Sequence, residues 1–118
     1  MEIPVEIWLR GDNHATTHAF AVPRQASAWT DADVVTVLEG MLRALDRAKN
    51  PGVPADRPVA LRGFSWIVSP FETGGVVIAL ELTLGAVVAG PFDVPERELS
   101  ATIDRVIREQ REVTSTVH

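Results

Sequence analysis

Two periods divide this chain. Ile3, Val5, Ile7 and Leu9 alternate with Glu2, Pro4, Glu6 and Trp8, the two-residue repeat of a strand with one buried face. Arg10-Gly11-Asp12-Asn13 supplies a turn. Ala15 to Val22 then sets His18, Phe20 and Val22 against Thr17, Ala19 and Ala21, so the opening predicts a hairpin. After it the repeat lengthens: Val34, Val37, Leu38, Met41, Leu42 and Leu45 recur at helical spacing. Thr30 is placed to cap that helix with Asp33 three residues on, and Trp29 is placed to close on Val34 as a hydrophobic staple. Asn50-Pro51-Gly52 ends the helix and opens a proline-rich connector.

The second half repeats the scheme. A third strand is expected over Val59 to Ser69, with a bulge at Gly63 where the apolar phase slips from odd to even positions. Ser69 to Gly75 forms a turn, and a fourth strand alternates through Val76, Ile78, Leu80, Leu82 and Leu84 until Gly85 breaks the phase, where the strand bends or ends. A second helix is predicted from Asp93 as cap, with Pro95 in its first turn and Glu96 completing a capping box; Leu99, Ile103, Val106 and Ile107 form its stripe. Asp104, Arg108 and Glu112 pair along its wet side, and residues 114–118 are expected to fray. The sum is an α+β two-layer sandwich in the order ββαββα, a four-stranded, mainly antiparallel sheet with two helices on one face, forming one domain over 1–113. Pro70-Phe71-Glu72 and Pro91-Phe92-Asp93 echo each other and are expected at opposite ends of the fourth strand, about 30 Å apart.

Composition narrows the chemistry. The 118 residues are 46% hydrophobic and 23% charged, enough for one buried core. Absence of cysteine removes disulfides, thiolate metal sites and thiol catalysis. A formal charge of −5 argues against nucleic-acid binding, which rests on clustered cations. Lys49 is the only lysine and tyrosine is absent, so the catalytic menu is short. The longest apolar run, Val76 to Leu80, is too short for a bilayer, and a cytoplasmic protein without membrane contact is expected.

Three places could carry function. Asp12, His14 and His18 resemble metal ligands, but histidines four apart on a strand stand about 13 Å from each other, so no metal and no other cofactor is expected. The turn with Glu72, Gly74 and Gly75 is a candidate ligand or partner loop. The sheet face away from the helices would carry Trp8, Thr17, Ala19, Ala21, Ser65, Ile67, Val77 and Ala79, small and apolar rather than charged; of these Trp8, Ala19, Ala21, Ile67, Val77 and Ala79 are the expected contact of a homodimer. No nucleophile elbow, phosphate loop or paired-histidine motif is present, which points to a non-enzymatic interaction module, a regulator, immunity-type inhibitor or assembly factor that pairs with itself and with a protein partner. The alternative is a small enzyme or ligand-binding protein with a pocket between sheet and helices that uses Glu72, His18 or Asp93. Convergence of His18 and Glu72 within about 4 Å would favour it.

Overall fold

Alternation and helical spacing build what they predict at the N-terminal end. In the computed structural model, which describes residues 1–54 and 58–115 with side chains as far as Gln110, β1 (Glu2–Leu9) pairs antiparallel with β2 (Thr16–Ala21), Ile3 opposite Phe20 and Val5 opposite His18. Met1 and Val22 exchange both backbone hydrogen bonds, at 2.7 and 2.8 Å, which sets the parity of the ladder. By that parity Pro4 and Ala19 form a non-hydrogen-bonded pair, so the missing amide of Pro4 costs β2 nothing. After a single turn of 3₁₀ helix at Ala26–Ala28 comes α1 (Asp31–Lys49). Its capping box is complete: the Thr30 hydroxyl accepts from the Asp33 amide at 3.2 Å, and the Thr30 amide donates to Asp33 Oδ2 at 2.9 Å.

The second half departs from expectation. Residues 58–64 form no strand, and β3 spans only Ser65–Pro70; the phase slip at Gly63 marks irregular chain, with φ +78°, rather than a bulge. β4 (Val76–Leu82) ends two residues before Leu84. Thr83 and Leu84 turn the chain, and a fifth strand, β5 (Gly85–Phe92), returns antiparallel with Leu82 opposite Gly85. Among the described residues the sheet therefore has five strands, all neighbours antiparallel, in the order β2-β1-β5-β4-β3, and the element order is ββαβββα rather than ββαββα. Gly85 is the reason the turn closes here: at φ +152°, a Cβ would stand 2.0 Å from the Trp8 carbonyl oxygen, so only glycine lets β5 pass β1. Arg10 locks the corner by donating its amide to the Leu84 carbonyl and Nε to the Thr83 carbonyl, both at 2.9 Å.

α2 (Glu96–Ser115) starts later than Asp93. The Val94 amide turns back onto the Phe92 carbonyl at 3.1 Å, which spends residues 92–94 on a tight turn, and the first helical bond runs from the Leu99 amide to the Pro95 carbonyl at 3.2 Å. Pro95 thus takes the capping position assigned to Asp93. The helix continues through Thr114 and Ser115, where fraying was expected; residues 116–118 lie outside the described residues, as does the side chain of Glu112.

Both helices lie on one face, α1 over β1 and β5 and α2 against β3. Ile3, Val5, Ile7, Ile78, Leu80, Val87 and Ala89 of the sheet meet Val37, Leu38, Met41, Leu45 and Ile103 of the helices, all essentially inaccessible. Trp29 sets its ring edge-on against Phe92, centroids 4.9 Å apart, tying the start of α1 to the end of β5. Arg105 of α2 holds Asp31 of α1 through two bonds of 2.6 and 2.8 Å. Among the described residues no helix is long and apolar enough to cross a membrane.

Candidate functional site

The turn with Glu72 is built from its own backbone. The Gly74 amide donates to the Phe71 carbonyl and the Phe71 amide to the Gly75 carbonyl, each at 3.0 Å, so the Gly74 amide is spent inside the turn rather than offered to an anion. Gly74 and Gly75 have φ of +111° and +77°, and a Cβ on Gly75 would meet the Phe92 carbonyl oxygen at 2.7 Å. That contact overturns the expected separation of the two Pro-Phe-acid segments. Because β5 doubles back along β4, Phe92 lies opposite Val76, and both segments sit at the same end of the sheet. Glu72 is exposed, while Asp93 lines a cleft of about 180 Å³ between the N-terminal ends of the helices, with Trp29, Val34, Glu98, Leu99 and Thr102.

His18 and Glu72 do not meet. His18 is on β2 and Glu72 follows β3, the two edge strands, four strand spacings or about 19 Å apart. Asp93 is at neither place, so the three residues named for an enzymatic pocket share no cavity described here. His14 is exposed in the β1–β2 connection, and among the described residues no three histidine, aspartate or glutamate side chains cluster as metal ligands.

The helix-free face gathers the six residues named for self-association. Register places Trp8 beside Ala86 and Glu81, and Thr17, Glu6, Val88, Ala79 and Ile67 in one row across all five strands. Ile67 is 58% exposed and Trp8 45%. The face is not free of charge, as the sequence reading had it: Glu2 and Glu6 on β1 and Glu81 on β4 share it. Its apolar part is the β3–β4–β5 side, where Ile67, Ala79, Val77, Val88 and Ala86 adjoin, whereas Ala19 and Ala21 lie beyond the β1 carboxylates on the β2 edge.

A groove that sequence reasoning missed runs along that edge. α1 covers β1 and β5 and leaves β2 half clothed, opening a space of about 460 Å³ between His18–Ala21 and the Thr36, Gly40, Arg43, Ala44 and Arg47 side of α1. Phe20 forms its floor: a Cβ on Gly40 would stand 2.5 Å from the Phe20 ring. Glycine inside a helix costs about 1 kcal/mol relative to alanine, so Gly40 was a readable sign of close approach. Among the described residues no carboxylate lines this groove.

The strongest electrostatic feature lies at the start of α1. Asp33, buried, takes hydrogen bonds from the Thr30 backbone and hydroxyl and from Arg24 Nη1 at 2.8 Å, and these hold its carboxyl below the ordinary aspartate range, the Thr30 amide contributing most. Asp31 is lowered likewise by its hydrogen bonds from Arg105. Both groups fasten helices and neither faces the groove. Comparison with protein-family models, with curated proteins and with solved structures returns no match to this chain.

Proposed function

We propose that this protein is a non-enzymatic, cytoplasmic interaction module that pairs with a second copy of itself through the helix-free face of its sheet. The observation that supports this reading most is the apolar row Ile67–Ala79–Val88 crossing three adjacent strands on a face that no element among the described residues covers. Open antiparallel sheets ordinarily carry polar side chains on the wet face, and contiguous apolar surface marks an interface. Small side chains at Ala79 and Ala86 let two sheets approach to about 10 Å. A contact centred on Val77 and Ala79 leaves Glu2 and Glu6 toward the β1 rim, where water screens them, while Glu81, two residues from Ala79 on β4, must sit at the solvated end of the contact. The exposed turn at Glu72 then remains open to a protein partner, as a regulator, inhibitor or assembly factor would require.

Light scattering at micromolar concentration tests the pairing. A dimer is expected for the unmodified chain and a monomer for Ala79→Glu, which plants a charge in the middle of the row. A monomeric unmodified chain would defeat the reading.

A further inference from the structure

Opposite charges stand at the two ends of β1. Glu2 opens the strand and Arg10 follows it, in phase with Glu6 and Trp8 on the helix-free side. Among the described residues neither Glu2 nor Arg10 belongs to an ion pair, and the side-chain bond of Arg10 runs from Nε to the Thr83 carbonyl, which leaves its Nη groups unengaged. Register draws one row across all five strands through Thr17, Glu6, Val88, Ala79 and Ile67. Along β1, Glu2 and Arg10 lie at equal distances from that row, about 13 Å to either side of Glu6. This balance bears on self-association, because a two-fold contact presents the same patch twice and must be complementary to itself.

We propose, resting on the pairing of two copies through this face, that the two sheets meet antiparallel about a two-fold axis lying along the Glu6–Val88–Ala79–Ile67 row, so that Arg10 of each copy closes on Glu2 of the other. Aligned sheets keep their strands within about 30° of each other, so the axis runs either nearly along the strands or nearly across them. An axis along the strands holds every residue at its own height. Arg10 then gathers with its own copy at one end and Glu2 with its own at the other, and an axis following β4 also stacks Glu81 on Glu81. An axis across the strands reverses height. Counting outward from the row, Arg10 falls opposite Glu2, Trp8 opposite Pro4 and Glu81 opposite Val77, while Ile67, Ala79 and Val88 each face their own copy. An ion pair then closes each end of β1, and the exposed indole of Trp8 is covered by the ring of Pro4. Glu6 facing Glu6 is the like-charge contact that this arrangement keeps, at the β1 rim where water reaches it. Matching of opposite charges fixes orientation more than it adds affinity, and here it favours the reversed arrangement over the one that sets like on like.

Because the chain has no cysteine, single-cysteine variants report the axis directly. Ile67→Cys should crosslink to its own copy through a short bismaleimide, since residues on the axis face each other across a sheet spacing of about 10 Å. Glu81→Cys should not, because its two copies are displaced from each other along the strands by a further distance of about 13 Å. Charge reversal, read by light scattering over a dilution series, tests the ion pair. Glu2→Arg should weaken the dimer by about tenfold, since two-fold symmetry counts the change twice, and adding Arg10→Glu should restore the affinity. Arg10→Glu alone also gives up the bond to Thr83, so recovery in the double variant is the decisive comparison. Glu6→Gln should tighten the dimer by about threefold. The antiparallel arrangement is overturned if Glu81→Cys crosslinks in place of Ile67→Cys, if the double reversal is no tighter than Glu2→Arg, or if Glu6→Gln weakens the dimer. Each of those outcomes leaves the unmodified chain a dimer and the self-association standing, whereas a monomeric unmodified chain defeats both.

Discussion

The two faces of this sheet come from the same strands and the same alternation, yet they obey different rules. On the covered face Ile78, Leu80 and Val87 are sealed under Leu38 and Ile103, and side-chain volume decides the energy. On the free face Ile67 is 58% exposed, Ala79 and Ala86 are small, and three glutamates intervene. Removing a methylene there costs the isolated chain little, because water already fills the space. The contrast teaches that an apolar residue in a strand signals burial only when something lies above it; otherwise it reports what the surface meets.

The sharpest way to break this contrast is to truncate one residue on each face. Leu38→Ala opens a cavity under fully buried neighbours and should lower stability by about 3 kcal/mol. Ile67→Ala, measured in urea at concentrations low enough to hold the chain monomeric, should change it by less than about 0.5 kcal/mol. A loss from Ile67→Ala comparable to that from Leu38→Ala would mean that the free face is packed within the monomer.

A smaller effect separates the starts of the two helices that clothe the covered face. The first is closed by side chains, Thr30 and Asp33; the second by a backbone turn through Phe92 and Val94. Thr30→Ala should therefore cost about 1 kcal/mol, and Asp93→Ala close to nothing, by denaturant unfolding. Equal losses would restore Asp93 as a cap and shift the true start of the second helix toward it.

These cases also show what the sequence could tell. The Thr30–Asp33 box spans four residues and depends on nothing remote, so it was legible, as were the strand faces through Val5, Phe20, Leu80 and Val68. The fifth strand was hidden because its turn, Thr83-Leu84, contains no residue that marks turns; only Gly85 betrayed it, and its reason for being glycine is the Trp8 carbonyl, 77 residues earlier in the chain. From that one missed reversal followed the misplacement of Phe71 and Phe92 at opposite ends of a strand. The groove was illegible for the same kind of cause. Gly40 hints within its own window that something comes close, but that the neighbour is Phe20, and that a groove results, shows only when α1 lies across the hairpin.

The smallest effect concerns how the two helices are fastened together above the covered face, and it depends on pH. Arg105 bonds Asp31 at an exposed site, and its hydrogen bonds are the main reason the Asp31 carboxyl lies below the ordinary aspartate range. A carboxylate whose folded-state pKa is below its unfolded value contributes stability above the unfolded value and loses it as the pH falls through the folded one. The Arg105–Asp31 tie should accordingly be complete at neutral pH and vanish under acid, and solvent screening keeps its contribution small. Comparing the unfolding midpoints of the unmodified chain and Arg105→Ala across pH isolates it. A modest gap is expected at pH 7, narrowing as the pH drops below 3.8. Asp33 acts in the same direction through Thr30 and Arg24, and because both proteins retain it, its acid loss cancels in the comparison. A gap that persists or widens in acid would show that Arg105 steadies the helix pair by packing its stem rather than by pairing with Asp31.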